Sequence, residues 1–566
     1  MISHKNTTKV VGVVMVICVS LCILAMIFSQ KVVEVFGSST VAMQYESVLF
    51  DTDEPIQIAI QMEEDEWEDM LDKATAEEYY ACDVVINGHE ICNVGIRPKG
   101  NTSLSAIAMD SETDRFSLKL EFDHYVEGQT CFGLDKLILN NNYADATNMK
   151  EAVVYDMYQY LGVDASLYHY AKISVNGEYW GVYLALEAVE ESFLLRNYGT
   201  EDGALYKPDS MDMGGSFKEN EFGDKEFSGR DGERKTKEKG FPDVDEKEAE
   251  GKGFSDEDKE ERPEGKGFPD RSEMAEADVK EFRGENRPGQ GNGEFEGGPP
   301  GPGGGFGMGG NGADLNYSDD DLDSYSAIWE GEVTDTEKQA RRRVVTALKN
   351  ISEGTDLEKY MDVDNLLKYM AVHTFSVNMD SLSGNMAHNY YLYEHDGMLN
   401  ILPWDYNLSF GGMNAGPDNG ALEVVNDAID SPFQMTKFFD ALLEDEDYLA
   451  RYHAYLEQLT KEYVLGGRFE EVLQRIRGQI DVLVETDPTA LYSYEEYEAG
   501  VEMLCQTVML RAESIQGQLE GTIPSTDEGQ RMDSKNLVDA SAIDLTVMGV
   551  FDMAGGGHGS YGHKSD

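Results

Sequence analysis

Residues 378–411, NMDSLSGNMAHNYYLYEHDGMLNILPWDYNLSFG, decide the fold prediction for this chain. The aromatic-rich segment at 389–393 and the apolar run at 398–403 predict two strands joined by a tight turn. One acid, Asp380, precedes this hairpin, and a second acid, Asp405, follows it. Hard oxygen ligands of this kind suit Mg²⁺, which binds through one or two carboxylates and a phosphorylated ligand.

An acid before the hairpin, an amide at its entrance and an acid after it form the layout of protein-kinase catalytic machinery. That layout assigns proton acceptance from a substrate hydroxyl to Asp380 and metal binding to Asp405. Two amides compete for the remaining metal position. Asn385 has the kinase spacing from Asp380, whereas Asn389 directly precedes the strand. The structural alternative is that the two aspartates form turns or cap helices.

The motifs HNYYLY at 388–393 and PWDYNLSFG at 403–411 resemble the CotH family, the spore-coat-protein-H kinases. Further upstream matches lie at residues 100–103, 140–151 and 181–187. The resemblance extends from about residue 55 to residue 484, with one long insertion. It implies an atypical protein-kinase-like fold, and it favours Asn389 over Asn385 as the amide that binds metal.

These patterns predict an α+β protein with an atypical protein-kinase-like two-lobe fold. Residues 55–208 alternate short strands with hairpin turns, which predicts an antiparallel-sheet N-lobe. Residues 324–519 carry helical spacing, which predicts a mainly helical C-lobe that includes the catalytic and metal motifs. Residues 520–566 are polar and end in a glycine-rich run, which predicts a loose tail.

The N-terminus predicts a membrane anchor. Residues 10–28 form an uncharged, mostly apolar run whose length suits a transmembrane signal anchor. Because Lys5 and Lys9 precede this run, residues 1–9 are expected to stay cytoplasmic. The bulk of the chain would then be extracytoplasmic, joined to the single-pass anchor in the cell membrane by a juxtamembrane linker at 29–54. A cleaved signal peptide is the alternative.

Residues 209–323 predict a long disordered insertion, because Gly, Glu, Asp, Lys and Pro dominate them and cannot bury enough apolar surface to fold. Over the whole chain 108 acidic residues stand against 46 basic ones, a net charge of −62. Nucleic acid carries the same sign of charge and is therefore excluded as a partner.

The chain has no GxGxxG motif, so a phosphate loop would have to be built differently. The segment from Lys99 to Ser103 lies between two predicted strands and offers backbone N–H groups that suit a phosphate. Its candidate nucleotide contacts are Lys99, Gly100, Asn101 and Ser103. An ordinary connecting loop explains the same residues.

The resemblance to a kinase adds three further candidates for nucleotide binding. Lys119, in the predicted strand at 116–122, would reach the phosphates and pair with Glu151 on the following helix. A solvated lysine on a half-exposed sheet is the alternative. Glu187 lies where the two lobes would join, so it would contact the nucleotide or else cap the next helix.

The resemblance implies a protein kinase that transfers the γ-phosphoryl group of ATP, with Mg²⁺ or Mn²⁺, to Ser or Thr residues of surface or coat proteins. The alternative is a non-catalytic cell-surface adhesin or scaffold that binds through its acidic insertion. The export of the chain to a compartment where ATP is scarce and its net charge of −62 favour this alternative. Nucleotide binding distinguishes the two functions.

Cysteine spacing leaves the redox state of one hairpin open. Cys82 and Cys92 flank a predicted hairpin with an Asn-Gly turn, which would place the two sulfur atoms nearly opposite each other. Either a disulfide, which export permits, or two free thiols fits this pattern.

Overall fold

The computed structural model describes residues 41–208, 311–384, 386–413, 420–549 and 551. The predicted anchor at 10–28, residues 209–310 of the predicted insertion and the candidate ligand Asn385 lie outside the described residues. Among the helices that are described, none combines the length and the apolar character needed to cross a membrane.

The first part of the chain forms a closed barrel of seven strands. The strands are β1 (Ile56–Gln61), β2 (Tyr80–Ile86), β3 (His89–Lys99), β4 (Ser117–Glu121), β5 (Lys136–Asn140), β6 (Tyr168–Val175) and β7 (Glu178–Glu187). They follow one another around the barrel in the order β1-β2-β3-β4-β5-β7-β6. Neighbouring strands are antiparallel except β1 and β6, which pair in parallel and close the ring.

Alternation along each strand decides which side chains fill the barrel, because successive residues point to opposite faces. The interior includes the buried side chains Ile58, Ile60, Val84, Ile86, Val94, Ile96, Leu118, Leu120, Leu137, Leu139 and Ile173. The outer face of β3, β4 and β5 is therefore free to carry polar groups. Lys99, Ser117 and Asn140 belong to that outer set and contribute to the site described below.

The closed barrel contradicts the predicted fold class. Hairpin patterns alone predict an open antiparallel sheet in one of two lobes, but the parallel pairing of Ile56 with Ala171 removes both sheet edges. Local periodicity does not reveal a pairing between residues so far apart in sequence. All described residues also belong to one compact unit. The prediction of a two-lobe kinase-like fold is therefore wrong.

A second, three-stranded sheet contains the hairpin of residues 378–411. Its strands are β8 (Ala204–Tyr206), β9 (Tyr390–His395) and β10 (Met398–Pro403), in the order β10-β9-β8. The register pairs Met398 with His395 and Pro403 with Tyr390, so the predicted hairpin is confirmed. Asn389, which precedes β9, and Trp404, which follows β10, therefore lie next to each other at the open end of the hairpin.

Helices form most of the remaining described structure. The first four are α1 (Glu64–Asp72), α2 (Thr102–Met109), α3 (Lys150–Leu161) and α4 (Glu191–Tyr198). The remainder are α5 (Ser326–Glu330), α6 (Lys338–Ser352), α7 (Leu357–Tyr360), α8 (Val363–Ser376), α9 (Ala421–Asn426), α10 (Asp440–Glu444), α11 (Glu446–Gln458), α12 (Arg468–Glu485), α13 (Tyr494–Leu519) and α14 (Asp527–Met532). The buried α3 packs in one core with Ile138, Leu184 and Leu186 from the outer barrel face.

Two segments that the composition assigns to loose sequence contribute to this core. Ala313 and Leu315, in the predicted insertion, are buried, as are Leu545 and Met548 in the predicted tail. Each segment is polar on average but supplies a few apolar side chains to a core that other elements have already built. Averaged composition does not reveal such a contribution.

The Cys82–Cys92 hairpin forms, but the sulfur atoms do not face each other. The register pairs Cys82 with Val94 and shifts between Cys82 and Val84. Cys82 is buried, Cys92 is exposed, and both are free thiols. The two-residue turn explains why the cysteines do not meet, because a register that pairs Ile86 with His89 and Val84 with Ile91 sets Asp83, and not Cys82, opposite Cys92.

Candidate functional site

Asp380 lies in a compact turn that directly follows α8. The side chain of Asn378 accepts a hydrogen bond from the Asp380 backbone N–H at 3.2 Å, and Ser381 Oγ donates to the Asn378 carbonyl at 2.7 Å. Gly384 closes the turn, because a Cβ atom there would lie 1.8 Å from the Met379 carbonyl oxygen. The turn therefore fixes the backbone from which the Asp380 carboxylate projects.

Both oxygen atoms of the Asp380 carboxylate have a partner from the segment before β9. His388 Nε2 lies 2.9 Å from Oδ1. Asn389 Nδ2 donates to Oδ2 at 3.0 Å and to the Asp380 carbonyl at 2.9 Å. The Asp380 side chain keeps 14% of its surface exposed, so an incoming group can still reach it. This carboxylate is oriented yet accessible, as a general base must be.

Asp405 follows β10 and adopts a left-handed backbone with φ 63°. Its neighbours Trp404 and Tyr406 are buried, whereas Asp405 itself is only partly buried. Asn378 Nδ2 donates to the Asp405 carbonyl at 3.2 Å. One buried side chain, Asn378, therefore holds the two acidic turns together.

A buried histidine supports both turns from behind. His373 Nδ1 lies 3.0 Å from the Tyr406 hydroxyl, and its Nε2 lies 2.7 Å from Ser383 Oγ. Burial lowers the pKa of His373 to about 3, so the ring is neutral at physiological pH. A neutral ring has one donor and one acceptor, which is what a link between two hydroxyl groups requires.

A chain of polar side chains leads from the barrel to Asp405. Lys99 Nζ donates to Asn140 Oδ1 at 3.0 Å, and Asn140 Nδ2 donates to Glu151 Oε2 at 2.8 Å. Glu151 Oε1 accepts from the Tyr406 backbone N–H at 3.3 Å. These contacts bring Lys99, from β3, and Glu151, from α3, to the turn that carries Asp405.

The ionisable side chains that these contacts bring together interact electrostatically. Burial, and after it the nearby Asp405 charge, raises the pKa of Glu151 to about 8. Burial lowers the pKa of Lys99, whereas the carboxylates of Asp405 and Glu151 oppose that shift. Lys99, Glu151 and Asp405 therefore form one electrostatic cluster.

Lys119 does not take the place that the kinase resemblance implies. The register pairs Lys99 with Ser117 and Arg97 with Lys119. Lys119 therefore lies two residues along β4 from the position opposite Lys99. Its ammonium binds Glu190 at 2.8 Å instead of Glu151. Lys136 also binds Glu190, so this carboxylate joins two lysines outside the Asp405 cluster.

Glu187 is placed for a structural role. Its carboxylate is fully buried and accepts hydrogen bonds from Arg196 at 2.9 and 2.5 Å and from the Tyr45 hydroxyl at 2.5 Å. These partners tie the end of β7 to α4 and to the segment before β1. The oxygen atoms of Glu187 are therefore satisfied in the core, and nucleotide contact by Glu187 stays a prediction.

The segment predicted to cradle phosphate is a strand-to-helix turn. Lys99 ends β3, Gly100 and Asn101 form the turn, and Ser103 lies in the first turn of α2. Unpaired backbone N–H groups at a helix start favour anions. Phosphate binding by Gly100, Asn101 and Ser103 stays a prediction.

Several residues of the site carry no role in the sequence analysis, and Asn378, His373 and His388 are among them. Of these, only His388 leaves a local signal, since it directly precedes Asn389 in the HNYYLY motif. The contacts of Asn378 and His373 cross between turns and appear only once the chain is folded.

The donor set fits a magnesium ion that a substrate helps to hold. Among the described residues, no three His, Cys, Asp or Glu side chains converge into a site that would hold a metal unaided. Asp405 offers a carboxylate and Asn389 an amide oxygen. Mg²⁺ binds through one or two carboxylates, substrate phosphates and water, so these residues fit it and do not fit an all-protein cage.

Comparison with known proteins gives a family match and a distant relative. The family model described as CotH kinase protein matches residues 96–260 and 303–515, a region that includes the acidic turns and Lys99. Inner spore coat protein H of Bacillus subtilis (strain 168) is 20% identical over 171 residues. That similarity covers 29% of this chain and 43% of the relative, so the chain matches less than half of the relative's length.

Proposed function

This chain belongs to the CotH kinase protein family, and from that premise we propose that it transfers the γ-phosphoryl group of ATP to a hydroxyl group of a protein. The observation that carries the proposal is the joined pair of turns around hairpin β9–β10. They present Asp380 and Asp405 at the open end of the hairpin, where β9 begins and β10 ends, with Asn378 between them.

Asp380 acts on the acceptor. It accepts the proton of the substrate hydroxyl as the hydroxyl oxygen forms its bond to the γ-phosphorus. The bond between the γ-phosphorus and the bridging oxygen breaks, and ADP leaves with that electron pair. His388 and Asn389 keep the Asp380 carboxylate in one orientation, which lowers the entropic part of the barrier.

Asp405 and Asn389 act on the donor side. Asn389 donates from Nδ2 to Asp380, so its Oδ1 and the Asp405 carboxylate would hold Mg²⁺ or Mn²⁺. When bound, the ion would supply positive charge against the charge that develops on the phosphates. Lys99 contributes a positive charge from the barrel side, and Asn140 and Glu151 hold it in place.

We place the acceptor hydroxyls on Ser or Thr residues of coat or surface proteins. Support for this choice comes from the name of the relative, which is a spore coat protein. A hydroxyl acceptor also matches the single, oriented carboxylate at Asp380, because a hydroxyl must lose its proton during the transfer.

The test is transfer of labelled γ-phosphate to protein by the purified chain with Mg²⁺ or Mn²⁺. Two aspartates with left-handed backbones give a matched pair of variants, Asp405→Asn in the site and Asp396→Asn in the exposed hairpin turn. Asn tolerates this backbone, so neither variant introduces strain. The proposal expects transfer by the native chain and by Asp396→Asn, and loss of transfer in Asp405→Asn.

The proposal would be contradicted if the native chain transferred no phosphate with either metal and also did not bind ATP. That result would favour a binding protein. Full transfer by Asp405→Asn would contradict the metal assignment alone.

A further inference from the structure

We propose that residues 543–549 form a strap that holds two parts of the site together, so that release of this strap stops phosphoryl transfer without unfolding the chain. The strap lies in the region that the sequence analysis assigns to a loose tail, and the mechanism above gives it no role. The inference rests on the proposed function and adds a conformational control of the same site.

One side of the strap contacts the loop at 141–149, which connects β5 to α3. The Ala146 backbone N–H donates to the Met548 carbonyl at 3.1 Å. Gly549 lies against the Ala144 carbonyl, because a Cβ atom at position 549 would come within 2.5 Å of that oxygen atom. The Met548 side chain is itself buried. The strap therefore holds the loop by a backbone hydrogen bond and by close packing.

The other side of the strap contacts the segment that follows Asp405. A Cβ atom on Gly411 would lie 3.0 Å from Leu545 Cδ1, so the Leu545 side chain packs directly over the Gly411 backbone. Leu545 keeps only 1% of its surface exposed. The strap thus touches both the loop that leaves the barrel and the segment that carries the proposed metal ligand.

The loop that the strap holds connects both ends of the polar chain that reaches Asp405. Asn140 precedes the loop and Glu151 follows it, and their side chains are joined by a hydrogen bond of 2.8 Å. The Tyr143 carbonyl accepts a hydrogen bond from Asn407 Nδ2 at 2.9 Å, two residues beyond Asp405. A displaced loop would therefore move Glu151 and Asn407 relative to the proposed metal ligand.

The loop needs support from outside because its backbone is strained. Asn142, Ala144 and Asn148 have φ values of 59°, 58° and 52°. Asparagine tolerates this left-handed region, but the Cβ atom of alanine makes it unfavourable. Such a conformation persists only where the surrounding structure enforces it. The strap contacts at Ala144 and Ala146 are part of that enforcement, so we expect the loop to relax when the strap is released.

The strap is attached in a way that lets it detach on its own. Val538 fixes the chain ahead of it, since the Val538 N–H donates to Asn426 Oδ1 at 2.8 Å. Residues 541 and 542 are exposed and separate this fixed point from the strap. A segment with few buried apolar contacts opens locally at a lower free-energy cost than the whole fold. The buried apolar side chains of the strap are Ile543, Leu545 and Met548.

The test compares Leu545→Ala with Leu442→Ala. Leu442 is a matched control, because it is as buried as Leu545 but lies in α10, which packs against α6 and α11. Both substitutions remove the same atoms from a core, so both should lower stability. We expect only Leu545→Ala to lower kcat, by about tenfold or more. It should also raise the metal concentration at half-maximal activity about tenfold. Leu545→Met keeps the apolar volume and should restore most of both values.

Amide hydrogen exchange separates release of the strap from a general loss of stability. Leu545→Ala should speed exchange at residues 142–149 and leave β1, β2 and β3 at their native rates. Asn407→Ala removes the hydrogen bond to Tyr143, so it should lower kcat as well. Because both variants break the same link, the double variant should lose less than the product of the two single losses.

Three outcomes overturn the inference and leave the proposed function standing. They are native kcat and metal dependence in Leu545→Ala, equal losses of kcat in Leu545→Ala and Leu442→Ala, and faster exchange throughout β1, β2 and β3. The last result would show that the strap serves the stability of the whole fold. If the native chain neither binds MgATP nor transfers phosphate, the proposed function fails and the inferred control of transfer falls with it. The exchange pattern then still shows whether the strap holds the loop.

Discussion

The backbones of Asp380 and Asp405, 25 residues apart in sequence, are held by the same side chain. Asn378 accepts the N–H of Asp380 through Oδ1 and donates to the carbonyl of Asp405 through Nδ2, both at 3.2 Å. The proposed acid–base residue and the proposed metal ligand are therefore positioned relative to each other by a residue that itself is fully buried.

The first prediction concerns this link. Asn378→Asp keeps an acceptor for Asp380 but removes the donor to Asp405. We expect kcat to fall about 100-fold, because a shift of about 1 Å between reacting groups costs that much. The metal concentration at half-maximal activity should rise about tenfold or more.

A matched variant controls for lost stability. Asn365 is also buried and donates to Asn400 at 2.8 Å outside the site. Asn365→Asp should lower the free energy of unfolding by about 1–3 kcal/mol and leave kcat and metal dependence near the native values. Equal losses of kcat in the two variants would contradict a positioning role for Asn378.

The second prediction contrasts two lysines. Lys99→Met should lower kcat/KM for MgATP about 100-fold, because Lys99 belongs to the Asp405 cluster. Lys119→Met should lower it by less than about threefold, since Lys119 binds Glu190, and should cost about 1 kcal/mol of stability. Steady-state kinetics on both variants measures the two values of kcat/KM. A larger effect at Lys119 would support the kinase-like Lys119–Glu151 pairing instead.

The third prediction uses the buried His373, whose pKa is lowered to about 3. In the unfolded chain a histidine has a pKa of about 6.5, so between about pH 6.5 and 3 the unfolded state binds more protons. The stability contributed by the neutral ring is therefore complete above about pH 6.5 and is lost as the pH falls through that window.

Denaturant unfolding of the native chain and of His373→Gln, measured from pH 4 to pH 7, tests this prediction. The native free energy of unfolding should fall more steeply on acidification, by up to about 1.4 kcal/mol per pH unit relative to the variant. Parallel curves would show that His373 does not titrate differently in the folded protein.

Local sequence pattern sufficed for the hairpin and for its two flanking acids. Tight turns, alternation and acid placement are all properties of neighbouring residues, so β9 and β10 follow from residues 378–411. The hydrogen bond from Asn389 to Asp380 was not predicted and appears only in the fold. The location outside the cytoplasm and the domain boundaries stay predictions.

Long-range pairing accounts for what the sequence did not reveal. Closure of the barrel depends on β1 meeting β6, and the choice of Lys99 over Lys119 depends on the register of β3 with β4. The contacts of Glu187 with Arg196 and Tyr45 also appear only in the fold, because these partners are distant or unremarkable in sequence. No local periodicity encodes these relationships.

The most direct test of the account measures MgATP binding and phosphate transfer side by side in the native chain and in Asp380→Asn. The variant keeps the size of the side chain and removes its basicity. The account predicts that Asp380→Asn binds MgATP within about threefold of the native Kd while transfer to Ser or Thr falls by at least about 100-fold. Native rates of transfer by Asp380→Asn would contradict the central claim that this carboxylate accepts the hydroxyl proton.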